Sequence, residues 1–212
     1  MIKKNKKYMF YSILSFLFFG FGISLQLKAA IGQSVLNALA VTLSDTVQLK
    51  VGTILNVINS LFFAAYLLLR RSRLNYKDAI QVIATITNGI VINFFLYNIL
   101  SIFTIENYLC RIVLYMIGLV IASISLGAVL AIGIIKFPLE SLSLIISEVL
   151  KKKFTVVRMS FDVIFLIITL IITLLARTPL QIREGTVISI FLLSTLLGIC
   201  YEFFKKHLTM EE

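Results

Sequence analysis

Residues 138–162 read PLESLSLIISEVLKKKFTVVRMSFD. The periodicity predicts a helix over 138–150, and at ~1.5 Å per residue that is too short for a hydrocarbon core of about 30 Å. Pro138 suits the first helical position, where a missing N–H costs nothing. Glu140 falls in the first turn and Lys151, Lys152 and Lys153 follow the last, both favourable to the helix dipole. Glu140, Ser143, Ser147 and Lys151 form a polar stripe opposite Leu142, Ile145, Ile146 and Val149. Two readings stay open: a helix lying at the interface among lipid headgroups, and a re-entrant helix lining a cavity. Beyond the lysines, Arg158 and Asp162 are four residues apart, so they share a helix face and can pair. Asp162 lies roughly 9 Å in from Val156 by helix rise. A charge at that depth needs a partner or water, and is either a functional residue or half of a structural ion pair.

The rest of the chain places this stretch in a membrane. Of 212 residues, 59% are hydrophobic and mean hydropathy is +1.01, well above the apolar share of soluble domains. Only 14% are charged, yet the net charge is +10. The basic residues sit at the ends of apolar runs, which points to the positive-inside effect and away from nucleic acid. Two cysteines, Cys110 and Cys200, fall near opposite faces and read as free thiols. They are too few for a cysteine zinc site, and the only histidine, His207, lies in a polar tail, so no metal or cofactor is expected.

Six apolar runs read as spans: 8–27, 51–69, 79–104, 108–135, 156–175 and 186–204. The first follows Lys3, Lys4, Lys6 and Lys7 and resembles a signal peptide, but it is long, lacks a small-residue cleavage site and is read as retained. Residues 29–47 form a second short amphipathic helix, with Ile31, Val35, Leu39 and Leu43 at four-residue spacing. With the N-terminus inside, most Lys and Arg residues collect on the cytoplasmic side, in 3–7, 70–77, 151–153 and 205–206. This predicts a multi-pass membrane protein with both termini in the cytoplasm.

The order span, short helix, span, span occurs twice. A shift of 103 residues pairs Leu36 with Leu139, Asn37 with Glu140, Asp45 with Glu148 and Asn59 with Asp162. Three spans per copy make the copies inverted, an arrangement of transporter folds whose sites lie at the repeat interface. The expected fold is therefore all-α integral membrane: six transmembrane helices plus two short amphipathic or re-entrant helices, as two inverted three-span repeats, residues 1–105 and 106–212.

Further polar residues sit inside the spans. Gly52, Asn56 and Asn59 share a face of the second, and Gln81, Thr85, Asn88 and Asn93 lie roughly on one side of the third. They line a path or bond neighbouring helices. Gly118, Ala122, Gly127, Ala128, Ala131 and Gly133 permit close packing of the fourth span. Arg111 near its outer end can snorkel. No H-E-x-x-H, phosphate-binding glycine loop or G-x-S-x-G is present, and no catalytic residue is expected.

Several segments resemble a known family. The run GISLQLKAAIGQSVLNAL (22–39), then VGTILNVIN (51–59), resembles the first half of bacterial YczE-type membrane proteins, related to the YitT group. Lys28, Gly32 and Gly52 match family positions, and Asn37 stands where Asp is usual. NGIVIN (88–93) is similar to a Gly-x-x-x-Asp ending, with Asn93 for Asp. PLESL (138–142) resembles P-x-D-x-L with Glu140 for Asp. Arg158 matches a typical Arg, Asp162 stands for Glu, and EGTVIS (184–189) resembles a G-T-x-x motif carrying Gly185 and Thr186. The resemblance implies a bacterial multi-pass membrane protein and little about cargo.

Three functions fit. The first is a secondary carrier or exporter of a small solute. The second is a non-transporting accessory or regulatory membrane protein. The third is the substrate-binding subunit of a multi-component transporter. The expected partners are the lipid bilayer and, for a carrier, a small-molecule substrate; a homo-oligomer stays open.

Overall fold

The computed structural model describes residues 2–70, 76–134 and 137–210, and every regular element among them is helical. The helices are α1 (Ile2–Ala29), α2 (Val35–Val47), α3 (Val51–Arg70), α4 (Tyr76–Phe94), α5 (Tyr108–Ile132), α6 (Pro138–Leu150), α7 (Phe154–Ala176) and α8 (Glu184–Met210). A wide π turn, Phe95–Ile99, and a tight 3₁₀ turn, Leu100–Ile102, carry α4 onward. Six of these are long and apolar enough to cross a membrane: Lys7–Ala29, Val51–Arg70, Asp78–Ile102, Tyr108–Ile132, Val156–Ala176 and Glu184–His207. Arg71 and Arg73 of the basic loop, Ile135 at the expected end of the fourth span, and Lys136 lie outside the described residues.

Most expected boundaries shift by a few residues, as helix ends do. One shift has a chemical cause. The first short helix starts at Val35, not at residue 29. Ala30 (φ 54°) and Gly32 (φ 104°) hold left-handed backbone, which stops α1 at Ala29 and leaves 30–34 as a non-helical connector. Gly133 departs in the same sense. A Cβ there would meet nothing closer than 3.9 Å, so it packs against no neighbouring helix. With φ 69° it closes α5, its N–H donating to the Val129 carbonyl at 3.1 Å. Gln48, Lys151 and Arg177 end α2, α6 and α7 in the same left-handed way.

The α1–α5 pair forms the spine. A Cβ on Gly22 would lie 2.7 Å from the Ala122 nitrogen and 2.8 Å from the Gly118 carbonyl, so the two backbones touch. At Gly127 the neighbour is Cys200 of α8, with its Cβ 2.7 Å from the position a Cβ would take. Around the spine the short helices cross over: α2 packs on α7, and α6 packs on α3. The main core sits where they cross, built from Ile23 and Leu27 of α1, Leu39 of α2, Leu55 and Ile58 of α3, Leu139 of α6 and Phe165 of α7.

The two short helices turn polar groups inward. Asn37, Thr42 and Ser44 of α2 are buried, as are Ser141, Ser143 and Ser147 of α6, while Val149 and Leu150 are exposed. A helix floating at the interface would present its polar stripe to the headgroups instead. The outward surfaces of α7 and α8 are apolar, with Leu174, Leu175 and Phe191 each more than 70% exposed. Exposed apolar helices on this scale call for a bilayer.

Candidate functional site

The charged centre lies where α7 begins to run beside α6. Phe137 and Pro138 start α6, so Glu140 stands in its first turn. The Arg158 guanidinium donates from Nη1 to Asp162 Oδ1 at 2.5 Å, one turn along α7. Its Nε lies 4.0 Å from Glu140 Oε1, so Arg158 bridges the two helices. All three side chains are between one quarter and two fifths exposed. Burial pushes the Glu140 carboxyl above its ordinary value, and Arg158 pulls against it. Two carboxylates about one guanidinium leave one negative charge, which a proton or a small cation can neutralise.

Two asparagines of the second and third spans, Asn56 and Asn93, have a different job. At the start of α3, the first N–H groups have no partner within their own helix. Antiparallel α4 and the π turn after it supply acceptors: the Val51 N–H donates to the Tyr97 hydroxyl at 3.2 Å, and the Gly52 N–H to Asn93 Oδ1 at 2.9 Å. Asn93 Nδ2 then donates to the Thr53 hydroxyl at 3.2 Å, and Asn56 Nδ2 to the Ile86 carbonyl at 3.1 Å. Glycine permits this approach, since a Cβ on Gly52 would fall 2.1 Å from the Gly89 carbonyl oxygen. Asn93, Asn56 and Gly52 are thus a helix-to-helix clasp.

A second clasp closes the α1–α2 connector onto α8. The Gly185 N–H donates to the Ile31 carbonyl at 2.8 Å. The Gln33 N–H donates to the Thr186 hydroxyl at 3.2 Å, and Arg183 Nη1 to the Ala30 carbonyl at 3.1 Å. The buried Tyr115 hydroxyl donates to the Gly185 carbonyl. Gly32 cannot carry a side chain here, because its Cβ would lie 2.9 Å from the Thr186 nitrogen. Nearby, Gln181 Nε2 donates to Asp45 Oδ2 at 3.0 Å, while burial pushes the Asp45 carboxyl up.

The thirteen candidate residues therefore fall into three groups and a remainder. Glu140, Arg158 and Asp162 meet. Gly52, Asn56 and Asn93 meet. Gly32, Gly185 and Thr186 meet. Asn88 is buried on α4 with its Oδ1 unpartnered, Asn37 is buried on α2, and Asn59 and Lys28 are half-buried. Sequence reasoning passed over Tyr115, Gln33 and the α3–α4 ion pair in which Arg70 Nη1 lies 2.8 Å from Asp78. A signal for both clasps was present: a Gly-Thr pair occupies the second and third residues of α3 (Gly52-Thr53) and again of α8 (Gly185-Thr186). Arg111, expected to snorkel, donates from Nε to the Ile105 carbonyl at 2.8 Å and so ties down the loop before α5.

The model of a family of unknown function, DUF6198, matches residues 5–202. The uncharacterized protein YyaS of Bacillus subtilis (strain 168) is 26% identical over 201 residues, which is 95% of each chain. No solved structure matches significantly. These matches do not extend to the YczE and YitT families by name.

Proposed function

We propose that this chain, which belongs to the DUF6198 family, is a secondary carrier of a small solute, with no enzymatic step, built from two inverted halves of the bacterial cytoplasmic membrane. The observation that carries this reading is the reciprocal crossing of the short helices, α2 on α7 and α6 on α3. An inversion-related pair would make that exchange. The helix bounds agree with it: α1 and α5 end 103 residues apart, α2 and α6 share both bounds at that shift, and so do the left-handed caps Gln48 and Lys151. The inward-turned polar faces of α2 and α6 favour helices that line a path. With the N-terminus inside, both clasps lie at the outer end, and the Glu140–Arg158–Asp162 centre lies at the cytoplasmic end. On this reading that centre is where a proton, cation or polar solute acts on the fold.

A ligand that binds the folded state raises its stability by RT ln(1 + [L]/Kd), about 2.7 kcal/mol at one hundred times Kd. A thermal-shift screen of the detergent-solubilised protein against a metabolite library therefore tests the reading. It expects at least one solute that stabilises the wild type and fails to stabilise Arg158→Ala. A library with no stabilising solute, together with a partner protein that co-purifies in fixed ratio, supports the accessory-protein reading instead. The interhelical role of Asn93 and Asn56 favours that alternative to the extent that it removes two polar residues from a path.

A further inference from the structure

The corner between α6 and α7 is exposed along five consecutive residues, Val149 to Lys153. Helix α6 stops there because Lys151 takes a left-handed conformation (φ 51°), and the N–H groups of Lys151 and Lys152 close on the Glu148 and Ser147 carbonyls. Among the described residues none of the three lysines, Lys151 to Lys153, enters an ion pair. Glu148, exposed on the last turn of α6, is the acidic neighbour in sequence. Directly beyond the lysines α7 carries an apolar stripe. Val156, Met159 and Val163 are each more than half exposed, at the spacing of one helix face.

The corner between α2 and α3 is built the same way without the charge. A shift of 103 residues lays 46–50 on 149–153, and all five residues are again exposed. Gln48 (φ 57°) caps its helix as Lys151 does, and Val47 stands where Leu150 stands. Gln48 and Leu49 take the places of Lys151 and Lys152, and the one lysine, Lys50, lies 5.5 Å over the Tyr97 ring. The turn therefore needs no lysines to form. Orientation does not need these three either, since the basic runs at 3–7, 70–77 and 205–206 remain.

We propose that the α6–α7 corner is a contact site for an anionic phospholipid, with the headgroup phosphate at Lys151, Lys152 and Lys153 and acyl chain beside Leu150, Val156 and Met159. Unpaired positive charge and exposed apolar surface adjoin here, and a phospholipid matches both in that order from headgroup to chain. An acidic protein would meet the lysines and leave uncovered an apolar stripe that runs on into the membrane-spanning part of α7. The leaflet, the cytoplasmic one where anionic headgroups concentrate, follows from the orientation proposed above. The contact itself does not depend on that orientation or on transport.

The test is local tryptophan quenching, since the chain has no tryptophan of its own. Leu150→Trp and its counterpart Val47→Trp put one reporter at each corner, on side chains that are 60% and 49% exposed, so little interior packing is disturbed. Each full-length variant is reconstituted into bilayers of phosphatidylcholine and phosphatidylglycerol in which one lipid or the other has brominated chains. A single lysine near an anionic headgroup contributes about a fivefold preference. Leu150→Trp is therefore expected to select phosphatidylglycerol by at least about fivefold, less as salt rises, and Val47→Trp to show little selection. Adding Lys151→Gln, Lys152→Gln and Lys153→Gln is expected to bring Leu150→Trp down to the level of Val47→Trp while far-UV circular dichroism stays unchanged. Equal quenching of Leu150→Trp by the two lipids would overturn the proposal. So would a preference that survives the three glutamines, or the same preference at Val47→Trp. Quenching by neither lipid, with an acidic protein that co-purifies, would assign the corner to a protein partner and overturn it too.

Discussion

Gly52→Ala is the sharpest perturbation of the α3–α4 clasp. The new methyl would lie 2.1 Å from the Gly89 carbonyl oxygen and 2.8 Å from Asn93 Oδ1. The first neighbour is backbone and cannot swing away. To reach ordinary contact the helices must part by roughly 1 Å. That strains three bonds between them, Gly52 to Asn93, Asn93 to Thr53 and Asn56 to Ile86. Interhelical bonds in a membrane are worth about 0.6 kcal/mol each, or roughly 2 kcal/mol together. Overpacking adds about 1–3 kcal/mol, and alanine's better helix propensity returns up to about 1 kcal/mol. The net expectation is a loss of about 2–4 kcal/mol. Gly198→Ala is the control, because a Cβ there meets nothing within 4 Å; it should be neutral or up to about 1 kcal/mol stabilising. Both can be read by unfolding the protein in mixed micelles and following far-UV circular dichroism, since the chain has no tryptophan. If Gly52→Ala unfolds with the wild type, the clasp is not what holds α3 to α4.

Thr186→Val should cost about 1–3 kcal/mol, because the lost hydroxyl leaves the Gln33 and Arg183 N–H groups without their acceptor; Thr186→Ser should restore most of it in the same assay. Glu140→Gln should flatten the pH dependence of thermal stability in detergent. The folded Glu140 carboxyl binds its proton more tightly than the unfolded one. Its contribution is therefore full below the ordinary value of about 4.3 and is lost as pH rises through the raised folded value, so wild type should lose more stability than the variant as pH rises above about 4. Cys110 is exposed near the start of α5, and a membrane-impermeant maleimide added to intact cells should label it if the N-terminus is cytoplasmic. Labelling only after the membrane is opened would reverse the proposed orientation.

The spans and both short helices were legible because a 3.6-residue apolar period and a 20-residue length are properties of the chain itself. Helix α6 was legible to its ends, since Pro138 and the lysines punctuate it. Helix α2 was not. Ala30 takes a left-handed conformation that alanine does not favour by itself, and the bonds that hold the connector come from Thr186 of α8 and from Arg183 just before it, more than 150 residues away. The Arg158–Asp162 pair was readable from i, i+4 spacing, whereas its link to Glu140 depends on how α7 folds back on α6. The asparagines illustrate the limit of a face argument. Gly52, Asn56 and Asn93 do share sides of their helices, but whether such a side meets water or another backbone is decided by the packing partner. Here Gly89 brings that partner within bonding distance.

The central claim is that a solute crosses the membrane through this fold and that Arg158 takes part. Reconstituted into proteoliposomes with a solute from the stability screen, wild type should give saturable counterflow. Arg158→Ala should abolish that flux while inserting to the same level and keeping its helical content. If no solute shows saturable counterflow, or if Arg158→Ala carries it as fast as wild type, the carrier account is wrong.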